Sequence, residues 1–233
     1  MTTEQKLIEA IGIPIEIKQV QIGNYTINYA KAGSGPPLLL IHGANFGWGV
    51  WYPNIPEFAK HFTVYAIDLP GAGRSSLIDY RTIDFERDFT DVVDRFIRTL
   101  GLRNVCLIGH SIGAWTAVRV AVREPNNFKK IILCDSVGFS QADGAERVLG
   151  FYPFARLLSA TVLRASNKKG LEKFLRSAFY NTRTPLSSEF INYFFETMQR
   201  SHGILLMSRL IHSGGKLLFG DILAFLSGKI FII

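Results

Sequence analysis

Short apolar runs alternate with amphipathic stretches along most of this 233-residue chain. Ile15–Val20 and Tyr25–Lys31 flank Ile22-Gly23-Asn24 and predict two strands joined as a hairpin. Ala32–Pro37, built of Ala, Gly, Ser and Pro, is a loop. Leu38–Ile41 is wholly apolar, as in a strand buried on both faces. Trp51–Lys60 predicts a short helix with Pro53 in its first turn, and Phe62–Ile67 the next buried strand. Phe85, Phe89, Val92, Val93, Phe96, Ile97 and Leu100 recur at helical spacing, so Ile83–Leu100 is a long amphipathic helix. Asn104–Ile108 is a strand, Ala114–Arg123 a helix and Phe128–Asp135 a further strand. A hairpin followed by alternating strands and helices gives the fold class α/β, a mostly parallel, doubly wound sheet covered on both faces.

The character changes near Ser140. Gly150–Ala165, Lys168–Tyr180 and Pro185–His212 read as helices with no strand between them, broken at Ser166-Asn167 and Asn181–Thr184. The expected organisation is a core over 1–139, a helical cap over 140–214 and a return to the core over 215–233. In the last part Gly215–Leu226 is a helix and Gly228–Ile233 opens another buried strand.

Composition narrows the function classes. With 48% hydrophobic and 19% charged residues the chain is ordered and globular. Its first ten residues hold no basic region followed by an apolar stretch, so no signal peptide is read there. No run approaches the ~18 apolar residues of a membrane span. Cys106 and Cys134 lie in strand patterns and read as small core hydrophobes, in keeping with a cytoplasmic protein. Net charge is +7, and Ser140–Gly220 holds eleven Lys or Arg against five Asp or Glu. That surplus reads as a solvated helical surface, with an anionic substrate or acidic membrane surface as the alternative. No basic block with interleaved aromatics points to nucleic acid.

The chemistry centres on Gly109-His110-Ser111-Ile112-Gly113, which follows a strand and opens a helix. In that context the motif is a nucleophile elbow: a tight strand-to-helix turn that exposes Ser111 at the positive end of a helix. Together with Leu38-Leu-Leu-Ile-His-Gly-Ala44, Asp68-Leu-Pro-Gly-Ala-Gly-Arg-Ser75 and Ile131-Ile-Leu-Cys-Asp135, in this order and spacing, the chain resembles the α/β-hydrolase fold family, specifically its members with a single helical cap. The resemblance spans essentially the whole chain and implies a serine hydrolase. In it Ser111 would form an acyl-enzyme, and the backbone N–H groups of Ala44 and Ile112 would form the oxyanion hole. Asn45, Phe46 and Trp48 would line the pocket entrance. His42 reads as a structural, hydrogen-bonded histidine. The Asp68–Ser75 stretch is Gly-rich but lacks P-loop spacing and its Lys, so it reads as a tight turn in which Asp68 and Arg74 hold backbone or pair locally.

A serine at the elbow attacks acyl carbons, whereas the related dehalogenases and epoxide hydrolases need a carboxylate there. Esters, thioesters, lactones, amides and the carbon–carbon bond of a β-diketone-like substrate fit. Phe151, Tyr152, Phe154, Phe179, Tyr180, Tyr193, Phe194 and Phe195 suit an apolar or aromatic substrate, or simply pack the cap. No metal or organic cofactor is implied.

The family's usual acid and histidine would fall beyond Ile233, so the sequence reads as truncated, with its last strands missing. Asp135 is a reserve acid. His61, His110, His202 and His212 are poorly placed as bases. On this reading the 233 residues alone are impaired, and the alternative is an inactive truncated form that binds a ligand or is a relic. An apolar last strand would be prone to association.

Overall fold

The computed structural model describes residues 1–44, 46–139, 167–178, 186–201, 219, 226 and 228–233. Seven strands form one sheet in the order β1-β2-β4-β3-β5-β6-β7. They are β1 Ile15–Ile22, β2 Tyr25–Ala32, β3 Pro37–Ile41, β4 Thr63–Ile67, β5 Val105–His110, β6 Phe128–Cys134 and β7 Ile230–Ile232. β1 and β2 pair antiparallel from Ile15↔Ala32 to Ile22↔Tyr25, which leaves Gly23-Asn24 as the two-residue hairpin turn. β2 runs antiparallel to β4, and every later pairing is parallel.

The helices are α1 Thr3–Ile11, α2 Ile55–Phe58, α3 Asp91–Thr99, α4 Ile112–Arg123, α5 Lys168–Ala178 and α6 Ser188–Ser201. Alternation along β3 divides the core between two layers. Leu39 and Ile41 face α3 and α4, among Phe89, Val93, Phe96 and Val118. Leu38 and Leu40 face the other way, among Leu7, Ile55, Phe190 and Tyr193.

Three elements differ from the sequence reading. Trp51–Lys60 is not one helix: a 3₁₀ turn covers Trp48–Trp51, and α2 begins at Ile55. Pro53 and Pro56 supply no N–H to continue a helix across the gap. The long helix at 83–100 contains a π segment, Glu86–Thr90, before α3. There Asp88, buried, turns inward to accept the Tyr25 hydroxyl at 2.8 Å, while Phe89 keeps its place in the core. The strand expected over 228–233 is confined to β7, which among the described residues pairs with β6 alone and leaves Phe231 and Ile232 50% and 58% exposed.

α1 was not legible from apolar spacing, but its start is. Thr2 accepts the Gln5 N–H, and the Gln5 side chain accepts the Thr2 N–H, a capping box written as Thr-x-x-Gln. The predicted helix 150–165 lies outside the described residues, as do the residues beyond 201 of the helix expected to end at His212.

Candidate active site

The parallel strands β3, β4, β5 and β6 all end at one edge of the sheet, where the connecting loops converge. At this edge Ser111 joins β5 to α4 with φ 55° and ψ −119°. Among the described residues only Asn104 and Asp135 share a positive φ without being glycine. Strain of this kind persists only where the surroundings enforce it. Here the Ser111 N–H donates to the Cys134 carbonyl at 2.9 Å, and the Ser111 carbonyl accepts the Ala114 N–H at 3.0 Å.

The glycines around it are dictated by close approach. A Cβ on Gly109 would stand 2.5 Å from the Ala114 Cα, and one on Gly113 would overlap the carbonyl oxygens of Ile41 and His42. α4 can therefore start against β5 and β3 only without those side chains. Ile112 is the first residue of α4, so its N–H has no acceptor within the helix.

Ala44 lies in the loop after β3. Ile41 pairs with Gly109, so two residues further on Gly43 is level with Ser111. A Cβ on Gly43 would be 3.2 Å from the Ser111 Cβ. Ser111, Ile112 and the segment carrying Ala44 are thus brought together, although 67 positions separate Ala44 from Ser111 in the chain.

Two buried side chains brace that loop. The His42 Nδ1 lies 2.5 Å from the Gly43 carbonyl, which can only accept, and its Nε2 accepts the Leu69 N–H at 2.9 Å. These partners fix the tautomer as Nδ1–H. Burial holds the His42 pKa down at about 4, so the ring is neutral. Asp68 is fully buried and accepts three bonds, from Trp48 N–H at 2.6 Å, Arg74 N–H at 2.8 Å and the Asn28 amide at 2.9 Å. Burial pushes its carboxyl up to about 6, while the Arg74 and Trp48 N–H groups and the Asn28 amide hold it down. Asp68 thus holds backbone, as the sequence implied. The Arg74 side chain instead reaches Glu4 at 3.2 Å and Glu196 at 2.8 Å, far away in sequence.

The other predicted residues are placed as follows. Asp135 follows β6, exposed, next to the elbow, with its N–H on the Ile233 carbonyl and φ 45°. Burial lowers the His110 pKa and the Asp135 charge opposes that shift. The His110 ring stands edge-on to Phe46 at 5.9 Å. His61 is exposed, on the segment leading into β4, at the opposite end of the strands from Ser111. Phe46 and Trp48 were expected at a pocket entrance. Both are instead buried between the sheet and α6: Phe46 stacks on Phe194 at 5.0 Å, and Trp48 lies against Tyr193 and donates its ring N–H to Glu4. Packing of α6 accounts for Tyr193 and Phe194. Asn45, Phe151, Tyr152, Phe154, Phe179, Tyr180, His202 and His212 lie outside the described residues. Sequence reasoning did not single out Glu4, Glu196 or Arg200, although Glu196 and Arg200 carry a helical i, i+4 spacing. Cys106 and Cys134 are free thiols, half-buried rather than fully inside.

The sequence matches the α/β hydrolase fold family over residues 36–202. The chain belongs to this family. It is 37% identical over 122 residues to the (E)-2-((N-methylformamido)methylene)succinate hydrolase of Acinetobacter baylyi, an alignment covering 52% of this chain and 45% of that protein. It is 30% identical to the 2-(acetamidomethylene)succinate hydrolase of Mesorhizobium japonicum, over 55% of this chain and 46% of that protein. To the human 1-acylglycerol-3-phosphate O-acyltransferase ABHD5 it is 28% identical, over 59% of this chain and 42% of that protein. The chain spans less than half the length of these relatives. Among solved structures, the epoxide hydrolase CorEH superposes with a TM-score of 0.71 at 26% identity, covering 86% of this chain and 74% of that one. As an α/β-hydrolase-fold chain it places Ser111 where β5 passes into α4. No described helix is long and apolar enough to cross a membrane.

Proposed function

We propose that the protein is a serine hydrolase of an acyl bond, working through an acyl-enzyme at Ser111. The observation that carries this reading is the Ser111 backbone, held at φ 55° between two glycines that tolerate no side chain, at the first turn of α4. The hydroxyl oxygen attacks the acyl carbon, and the leaving group departs with the proton that a general base removes from Ser111. The oxyanion is met by the N–H groups of Ile112 and Ala44, and the positive end of α4 favours the same charge. Water then attacks the acyl-enzyme carbonyl, releasing the acid and restoring the serine.

A serine rather than a carboxylate at the elbow supports acyl rather than epoxide chemistry, although an epoxide hydrolase is among the similar folds. Two relatives are named hydrolases of amidomethylene-succinates, which supports an acyl-bond substrate. Asn45 at the pocket, an apolar or aromatic acyl group and the reserve acid Asp135 belong to the same proposal.

Hydrolysis of p-nitrophenyl acetate by the whole protein tests it. Ser111→Ala is expected to lower kcat by on the order of 10⁶, and a fluorophosphonate should add its mass to the peptide containing Ser111. Full activity in Ser111→Ala would overturn the serine mechanism.

A further inference from the structure

Asp68 opens the turn after β4, 20 residues from Trp48 and 43 from Ser111 in sequence, yet its carboxylate ties the site edge together. One oxygen accepts the Trp48 N–H, at the end of the loop that begins with Ala44; the other accepts the Arg74 N–H and the Asn28 amide. The carboxylate is also caged. A Cβ on Gly47 would stand 2.9 Å from Oδ1, and a Cβ on Gly73 would overlap the carboxylate itself. Both glycines have positive φ, 76° and 49°, so both loops are bent to lie directly against Asp68.

The same turn carries α6. Arg200 donates to the carbonyls of Gly73 at 2.7 Å and Ser75 at 3.0 Å, and Arg74 pairs with Glu196. His42 adds a parallel tie, from Gly43 to Leu69. The loop after β3 is therefore gripped near both ends by residues of the turn after β4.

We propose that Asp68 is a positioning residue: by clamping the Trp48 and Arg74 N–H groups it fixes the loop that aims the Ala44 N–H at the oxyanion, and it links that aim to the seating of α6. The inference rests on the reading of Ser111 as nucleophile and Ala44 as oxyanion donor. Loss of the clamp lets the loop drift. An N–H displaced by a fraction of an ångström weakens a charge that exists only in the transition state, so turnover suffers while ground-state binding does not.

Asp68→Asn is the direct test. Its side chain has one acceptor oxygen, so its NH₂ must face a backbone N–H that Asp68 now satisfies. With p-nitrophenyl acetate and the whole protein, kcat should fall roughly 30- to 100-fold with KM within about twofold. The inhibition constant of phenylboronic acid, which mimics the tetrahedral adduct, should rise by the same factor. A folded Asp68→Asn protein with unchanged kcat and boronate affinity would overturn the proposal. So would a fall in kcat matched by a rise in KM, with boronate affinity intact.

Should Asp68→Asn fail to fold, Asn28→Ala decides. It removes the side-chain bond that orients Oδ2, so the carboxylate holds the Arg74 and Trp48 N–H groups less firmly. A drop in kcat of about threefold, mirrored in boronate affinity, supports the clamp; no change in either overturns it. Ser111→Ala run alongside separates the two levels, since residual full activity there defeats the nucleophile assignment whatever Asp68 does.

Discussion

Both ring nitrogens of His42 are engaged inside the protein, one donating to Gly43 and the other accepting from Leu69, and the accepting Nε2 cannot take a proton without losing its bond. That arrangement has a pH signature. The folded pKa of about 4 lies below the ordinary 6.5, so the unfolded chain protonates first. The contribution to stability is intact above about pH 6.5 and drains away as pH falls towards 4. Asp68 runs in the opposite sense. Its folded pKa of about 6 lies above the ordinary 3.8, so the cost of its buried charge is relieved over the same fall in pH. A variant isolates the histidine: between pH 7 and 4.5, His42→Gln should lose on the order of 2–3 kcal/mol less stability than the parent. Urea denaturation at both pH values measures it, and equal losses in the two proteins would exclude His42 as the source. At this scale the sequence was informative where chemistry forces residue type. Ser111, Gly109 and Gly113 are readable because little else fits a strained turn pressed against two strands. Trp48 was misread because an aromatic near a motif looks the same whether it faces a ligand or a helix.

α6 is the element whose placement most depends on distant partners. Its apolar face, Phe190, Tyr193 and Phe194, meets Tyr52, Trp48 and Phe46, and its polar side meets Thr3, Arg74 and the Gly73–Ser75 carbonyls. Periodicity reported that a helix would form here, but not which face would be covered or by what. The Tyr193 hydroxyl is buried close to the Asp68 carboxylate and, among the described residues, makes no well-formed hydrogen bond, only a weak approach to the Gly49 N–H. An orphaned buried hydroxyl costs more than its loss. Tyr193→Phe is therefore expected to raise the urea midpoint, by about 1 kcal/mol of stability; a destabilised variant would mean that the hydroxyl is satisfied. Strand limits were legible to within a residue or two because the inner strands are compact apolar runs and the first two flank a short Gly-Asn turn. The division of the helix at 83–100 by a π segment was not, since it depends on Asp88 reaching Tyr25, a contact across 63 positions.

At the scale of the whole molecule, the sheet has two edges of different character. β1 carries Glu16, Lys18, Gln19 and Gln21, exposed residues that discourage pairing with another chain. β7 and the residue after it present Phe231, Ile232 and Ile233, all at least half exposed, with no further strand beside them among the described residues. These 233 residues are expected to associate through β7, and Ile232→Lys should shift their sedimentation towards the monomer; an unchanged distribution would place association elsewhere. The alternation of strands and helices, the elbow glycines and the serine between them followed from the sequence alone. They are local, and each is imposed by the geometry of one turn or by the period of one element. The tertiary structure decided what crosses between elements: the strand order, the level at which Gly43 meets Ser111, the tautomer of His42 and the caging of Asp68. Those depend on register and burial, which bring together groups whose separation along the chain leaves no periodic trace.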